Sequence, residues 1–229
     1  MTLQQDLRDT LAGVARALGN GHRLALLERL AQGDAPVEAL ANATGLSVAN
    51  ASQHLQQLRR AGLVTASRHG RQMHYRLTDE RIVDLMGLLR QIAETNLAET
   101  ERLLSRLFAD DDADGALEPV SRSELLAGLQ SGRMVVLDVR PEAEFEAGHL
   151  PAAISMPLAR LDDLLDRLPR DREIVAYCRG PWCALSHEAV QRLRRDGYRV
   201  RRFEEGYPEW KAAGLPVTES GRPAWATTS

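Results

Sequence analysis

The chain has only two cysteines, and they stand close together in the run Tyr177-Cys178-Arg179-Gly180-Pro181-Trp182-Cys183-Ala184. An apolar stretch, Ile174–Tyr177, precedes this run and a helical pattern follows it. A loop between a buried strand and a helix turns backbone N–H groups inward and has the positive end of the helix behind it. A cysteine at the start of such a loop is placed to act as a thiolate nucleophile, and Arg179 adds a positive charge beside it. The same surroundings suit a persulfide, whose terminal sulfur is also anionic. An isolated cysteine is more often a buried, inert side chain, but glycine, arginine and a second cysteine within one loop favour chemistry. Two thiols this close, in a chain with no export signal, are expected to be reduced rather than part of a disulfide framework. Cys178, Arg179 and Cys183 are therefore the candidate catalytic residues. Cys183 reads equally as a resolving or sensing thiol and as a small residue at a helix start.

A second set of residues is suited to reading nucleic acid. From Val48 to Leu58 the apolar positions Val48, Ala51, Leu55 and Leu58 fall on one helical face. That leaves Ala49, Asn50, Ser52, Gln53, His54, Gln56 and Gln57 on outward or flanking faces. Small and amide side chains of this kind meet base edges by paired hydrogen bonds. No acidic residue occurs between Glu38 and Asp79, whereas Arg59, Arg60, Arg68, Arg71 and Arg76 all lie in that interval. A polar solvated helix would not need the acids to be missing, but phosphate binding would. Candidate DNA-binding residues are Ala49, Asn50, Ser52, Gln53, His54, Gln57, Arg59, Arg68 and Arg71.

The elements that position these residues follow from the punctuation of the chain. Leu11, Val14, Ala15 and Leu18 mark a helix closed by Gly19-Asn20-Gly21, and Leu24, Leu26, Leu27 and Leu30 mark a second, closed by Gly33. Asp34 offers a cap and Pro36 a first turn for a short third helix ending at Gly45. Ser47 caps the fourth, and Gly62 stops it. Leu63–Ser67 and Gln72–Leu77 then read as a hairpin around His69-Gly70-Arg71. Thr78 is expected to cap a long last helix, striped by Ile82, Leu85, Met86, Leu89 and Ile92, that reaches Leu107. Such a stripe requires a partner, either the first helix or a second subunit.

The acidic stretch 109–118 breaks every pattern and reads as a linker. Beyond it, Ser121 and Glu124 form a capping-box pair. Apolar runs at Met134–Val139, Ile174–Tyr177 and Val200–Phe203 alternate with helical stretches at Glu142–Ala147, Leu158–Leu168 and Ala184–Asp196, the order of an α/β domain with a largely parallel sheet. The charge is divided between the halves. Residues 1–108 carry 13 arginines against 11 acids, and the remainder 16 basic residues against 21 acids.

Three helices, a fourth after a short turn and a hairpin follow the order of a winged helix-turn-helix. The run from Leu46 to Val64, with Ser47-Val48-Ala49-Asn50-Ala51-Ser52-Gln53-His54-Leu55 at its centre, resembles the recognition helix of ArsR-type repressors, and Arg68–Leu77 resembles their wing. The resemblance spans about residues 8–95. It implies a homodimer, with first and last helices at the interface, on an operator of two inverted half-sites. Many members of that family sense metals. Here the third helix, Val37–Thr44, has no cysteine and the last helix has no histidine, while His22, His54, His69 and His74 stand on different elements. No metal ligand is assigned and no cofactor is expected.

The second half resembles the rhodanese family over about residues 119–217. The motifs in order are Leu137-Asp138-Val139-Arg140, then Glu144–Ala153, then Cys178-Arg179, then Gly206-Tyr207-Pro208-Glu209-Trp210 with Gly214–Val217. The resemblance implies a sulfurtransferase mechanism in which Cys178 takes a sulfane sulfur from a donor and passes it to a thiol or cyanide acceptor. Asp138, Arg140 and His149 are expected to pin turns. The loop departs from the family pattern at Pro181, which has no N–H, and at Cys183, where many members carry a polar or basic residue.

The expected architecture is thus a mainly-α winged helix-turn-helix domain over 1–108 and an α/β rhodanese-like domain over 119–217, with a loose polar tail over 218–229. The expected function is that of a cytoplasmic DNA-binding regulator whose persulfide-accepting cysteine senses sulfur or redox species. The alternative is a sulfurtransferase that uses its first domain for dimerisation or targeting. The N-terminus is polar from the start and no run is apolar enough for a membrane helix.

Overall fold

The computed structural model describes residues 2–108 and 118–219. The expected linker therefore lies, apart from Glu118, outside the described residues, as does the tail after Glu219. Tertiary contacts divide the chain into two compact units, with the boundary between Gly87 and Leu88.

The first unit opens with α1 (Leu3–Leu18) and α2 (Gly21–Ala31). The turn between them is fixed by Asn20, whose side chain accepts from the backbone N–H of Arg23 at 3.2 Å. β1 (Ala35–Pro36) comes next, then α3 (Val37–Thr44), α4 (Val48–Arg60), β2 (Val64–His69) and β3 (Gln72–Leu77). The cap expected of Asp34 is not used: Pro36 precedes α3, and Ala35 and Pro36 pair antiparallel with Tyr75 and His74. The wing thereby becomes a three-stranded sheet of order β1-β3-β2. Ser47 caps α4 as expected, its hydroxyl accepting from Asn50 N–H at 3.2 Å. Leu26, Leu27, Leu40, Ala51, Leu55 and Leu58 meet in one core, and Leu63, Val64 and Tyr75 close it from the hairpin.

Val48 is not part of that core; it is 46% exposed. It is the first residue of α4, and Cβ bonds tilt toward a helix N-terminus, which aims its side chain past the end of the packed stripe.

The last helical stretch also differs from expectation. Thr78 does not cap it, because its hydroxyl donates instead to Gly62 O. Asp79 takes that place, accepting from Arg81 N–H at 2.9 Å. α5 (Arg81–Asn96) then stops, and α6 (Ala98–Leu107) begins after Leu97, whose φ of −116° and ψ of 106° are extended. Thr95 and Asn96 are weak helix formers, and the Asn96 side chain donates to Ile92 O at 2.9 Å, satisfying a terminal carbonyl. One long helix to Leu107 is therefore two.

The second unit includes α5 from Leu88 onward, α6, and then α7 (Arg122–Gln130), β4 (Met134–Asp138), α8 (Glu142–Ala147), β5 (Ile154–Ser155), α9 (Leu161–Leu164), β6 (Glu173–Cys178), α10 (Ala184–Arg195), β7 (Val200–Gly206) and α11 (Tyr207–Ala212). Short 3₁₀ turns flank α9, so the helix expected from Leu158 to Leu168 is three short pieces. The four strands form a parallel sheet of order β5-β4-β6-β7. Alternate residues serve opposite faces. Leu137, Ile174, Ala176 and Val200 pack with α9 and α10, while Val136, Val175, Tyr177 and Phe203 pack with α7 and α11. With both faces covered, the strands read as unbroken apolar runs rather than alternating ones.

Ser121 caps α7 as expected, but the Glu124 carboxylate pairs with Arg201. At the start of the expected tail, Thr218 exchanges backbone hydrogen bonds of 2.9 Å with His149 and is held.

Candidate functional site

The recognition face in the first unit is built on α4. Ala49, Asn50, Gln53, Gln56, Arg59 and Arg60 are exposed on it. Three of the predicted readers are placed differently. Ser52 is half-buried. His54 lies beside His22, ring centroids 5.6 Å apart, with Nδ1 buried and unpartnered. Burial, then the charge of Arg23 and of His22, hold the His54 imidazole below its ordinary pKa, so its neutral form is favoured. Gln57 is turned to Arg23, whose guanidinium donates to its Oε1 at 2.7 Å and to Arg16 O at 2.8 Å. Arg23 thus ties the end of α1 to the recognition helix. Sequence reasoning missed it because a helical arginine carries no signal of which carbonyls it will reach.

In the wing, His69 pairs with Gln72, leaving Gly70 and Arg71 as a two-residue turn. Gly70 has a φ of 60°, which a side chain rarely adopts and this turn requires. Arg68 and Arg71 are exposed at its tip, Arg68 Nε donating to Gly70 O at 3.1 Å. Arg59, Arg60, Arg71 and Arg76 form no ion pair among the described residues.

The cysteine loop in the second unit runs from the last residue of β6 to the cap of α10. The two cysteines are joined in a disulfide, Cα atoms 6.3 Å apart, contrary to the expectation of two reduced thiols. The loop folds back on itself, Cys183 N–H donating to Gly180 O at 3.1 Å, and this return brings the sulfurs together. Cys178 is fully buried and Cys183 partly so.

Four contacts hold this loop. Arg179 does not lie as an open charge beside Cys178: its Nε and terminal nitrogen donate to both oxygens of Glu144 on α8, at 2.7 to 3.1 Å. Arg202 on β7 donates to Pro181 O at 2.7 Å and lies over the Phe108 ring at the end of α6. Trp182 Nε1 donates to the Glu94 carboxylate on α5 at 2.6 Å. Arg90, one turn earlier on α5, pairs with Glu209 at 3.0 Å and stands 6.0 Å from the Trp182 ring. Glu209 also accepts from Gly206 N–H, capping α11. Gly206 has no room for a side chain: a Cβ there would meet Gly180 N, lie 2.6 Å from Arg179 C and 2.7 Å from Cys178 O.

Beneath the loop, Asp138 and Arg140 form a fully buried ion pair. Tyr177 Oη donates to Asp138 at 2.5 Å and accepts from Leu150 N–H, and Arg140 donates to Gly148 O at 2.7 Å. Burial lowers the Arg140 pKa, but the hydrogen bonds and charge of Asp138 more than offset this. Burial, then the Asp138 charge, push the Tyr177 hydroxyl well above its usual range. The His149 ring stacks on Phe145 at 3.7 Å. These residues organise the turns around the loop.

Glu144, Arg90 and Glu94 were not among the predicted site residues. Glu144 sits in a recognisable motif, but nothing in its spacing shows that it reaches Arg179. Among the described residues no group of three or more His, Cys, Asp and Glu side chains is placed to hold a metal ion. No helix there is long and apolar enough to cross a membrane.

Residues 18–66 match the model of a helix-turn-helix domain, and residues 121–213 match that of the rhodanese-like domain. The HTH-type transcriptional regulator Rv0324 of Mycobacterium tuberculosis is 42% identical over 93% of this chain and 92% of its own length. A sulfurtransferase of Allochromatium vinosum is 31% identical over 44% of this chain and 92% of that protein. The solution structure of a homodimeric winged helix-turn-helix DNA-binding domain from Mycobacterium bovis, described as a possible ArsR-family regulator, is 40% identical, with a TM-score of 0.40 over 43% of this chain and 92% of that one. The chain belongs to the ArsR-type helix-turn-helix transcriptional regulators that carry a C-terminal rhodanese-like domain.

Proposed function

We propose that this regulator binds its operator as a homodimer in the cytoplasm and that Cys178 accepts a sulfane sulfur, with the state of the Cys178–Cys183 pair setting operator affinity. The DNA-reading part is supported by the exposed stripe Ala49, Asn50, Gln53 and Gln56, free of acids and followed by Arg59 and Arg60. The dimer is supported by the exposed apolar rows Leu3, Leu7 and Leu11 on α1 and Leu88, Leu89 and Ile92 on α5. Each row repeats at helical spacing, and in water such rows are more stable covered.

The single observation that carries the sensing role is the hydrogen bond from Trp182 to Glu94. Trp182 lies between the two cysteines, and Glu94 lies on α5, whose first turn buries Ile82 in the core that supports α4. A change at the cysteines that shifts Trp182 acts on that helix directly. The enzymatic alternative has less support. Pro181 has no N–H, that of Cys183 is used within the loop, and the Arg179 side chain is engaged by Glu144, so three groups that could hold a small dianion such as thiosulfate are not open to it.

The deciding experiment measures operator affinity at fixed salt for wild type, Cys178→Ser and Cys183→Ser, each with and without a sulfane-sulfur donor. The proposal expects wild type to respond and Cys178→Ser not to. An equal response in both removes the sensing role and leaves two neighbouring domains with separate tasks.

A further inference from the structure

We infer that the cysteine pair is also a sulfane-sulfur reductase: Cys183 displaces the sulfur carried by Cys178 and releases it as hydrogen sulfide. This rests on the reading that Cys178 accepts a sulfane sulfur and adds the fate of that sulfur, which the reading leaves open.

Placement comes first. Cys178 ends β6 and Cys183 precedes α10, and the disulfide joins them with β6 paired to β4 through Tyr177 and α10 intact from Ala184. The Cys183 sulfur therefore reaches that of Cys178 without unfolding either element. Its side chain makes no capping hydrogen bond to α10, being turned to its partner. Anionic sulfur at that position faces the positive end of a twelve-residue helix.

Access comes second. Cys178 is 0% exposed. The loop over it is fastened at Pro181 by Arg202 and at Trp182 by Glu94. A sulfur donor must loosen these contacts once to reach Cys178, and an external thiol acceptor would have to do so a second time. The thiol of Cys183 is already inside them, and an intramolecular attack in correct alignment is favoured over a bimolecular one by a large effective concentration.

The chemistry balances in two steps. The Cys178 thiolate attacks the terminal sulfur of a low-molecular-weight persulfide, R–S–SH. The S–S bond breaks, R–S⁻ leaves, and Cys178 carries –S–SH. The Cys183 thiolate then attacks the Cys178 sulfur bonded to carbon. That S–S bond breaks, HS⁻ leaves and takes up a proton, and the Cys178–Cys183 disulfide remains. Two thiols have lost two electrons, and one sulfane sulfur has gained them as sulfide. The persulfide is the oxidant, and a dithiol reductant reopens the disulfide for the next cycle. The substrate class follows from the same loop: a thiol-sized persulfide asks for less anion binding than a dianion, which suits a loop with no N–H at Pro181 and with the Cys183 N–H and the Arg179 side chain already engaged.

The test uses the full-length reduced protein with glutathione persulfide and no other added thiol. Sulfide released per chain and the mass of the peptides holding the two cysteines are followed together. Wild type should release about one sulfide per chain and end as the disulfide. Cys183→Ser should keep one extra sulfur on Cys178 and release about one sulfide per chain fewer than wild type, because sulfide formed by the glutathione set free from the donor is common to both. Cys183→Ala, tested in the same way, guards against a local effect of serine. Stable persulfide on Cys178 of wild type, or equal sulfide release from wild type and both Cys183 variants, overturns the reductase while leaving persulfide acceptance standing. No sulfur on Cys178 in any protein overturns both.

Discussion

Arginine does opposite work in the two units. Around the recognition helix and wing, Arg59, Arg60, Arg71 and Arg76 form no ion pair among the described residues and lie exposed. In the second unit Arg90, Arg122, Arg140, Arg179 and Arg201 each hold a carboxylate. An uncommitted guanidinium contributes little to folding but remains available to phosphate, whereas a paired one in a buried site fixes geometry and costs much to disturb. The overall charge of the chain therefore hides the distinction that matters, which is whether a charge is already answered within the protein.

The largest expected effect lies in the second unit. Asp138→Asn leaves Arg140 buried without its counter-charge and should destabilise that unit by about 3–5 kcal/mol, measured by denaturant unfolding. Arg71→Ala is the converse. Its unfolding midpoint should hardly move, while affinity for every duplex falls and the salt slope flattens by about one unit. If Arg71→Ala destabilises as Asp138→Asn does, the contrast between the units fails.

The next effect is on communication. Glu94→Gln removes the charge that accepts from Trp182 and should shrink the donor-induced change in operator affinity, a coupling of about 1–3 kcal/mol in the parent, with binding of the untreated protein retained. An undiminished response would show that α5 does not read the loop through Trp182. Gln53→Ala should relax discrimination at one base pair of each half-site by about 1–3 kcal/mol, read from competition among duplexes, without altering the salt slope.

Most of the fold was legible because its signals are local. Ser47, Ser121, Gly45 and Gly62 punctuate helices wherever they fall, and a strand covered on both faces cannot avoid an apolar run. The failures are positions where a side chain had a distant choice. Gln57 looks like a base reader until Arg23 claims it, and Arg179 looks like an open charge until Glu144 does. Thr78 looks like a cap until Gly62 O takes its hydroxyl. The cysteine loop was visible from its composition, but its disulfide and its fastening to α5 depend on contacts that no spacing encodes.

The smallest prediction concerns pH. His54 has its folded pKa lowered by burial, then by Arg23 and His22. A base with a depressed folded pKa contributes full stability above its unfolded value, near 6.5, and loses it as pH falls below that value toward the folded one. Mild acidification should therefore slightly weaken the first unit, and His54→Gln should blunt the effect. An unchanged pH profile in that variant would assign the dependence elsewhere, with His74, also lowered chiefly by burial, as the next residue to replace.

Gly206 is where the second unit has least tolerance. The backbone of the cysteine loop passes so near that hydrogen is the largest substituent the position can carry. The smallest possible edit, Gly206→Ala, would thus act as a wedge, lifting the loop off β7 while leaving both sulfurs chemically intact. Under the proposed function, such a variant would keep both thiols yet answer a sulfur donor with a smaller change in operator affinity, a separation that replacing either cysteine cannot supply.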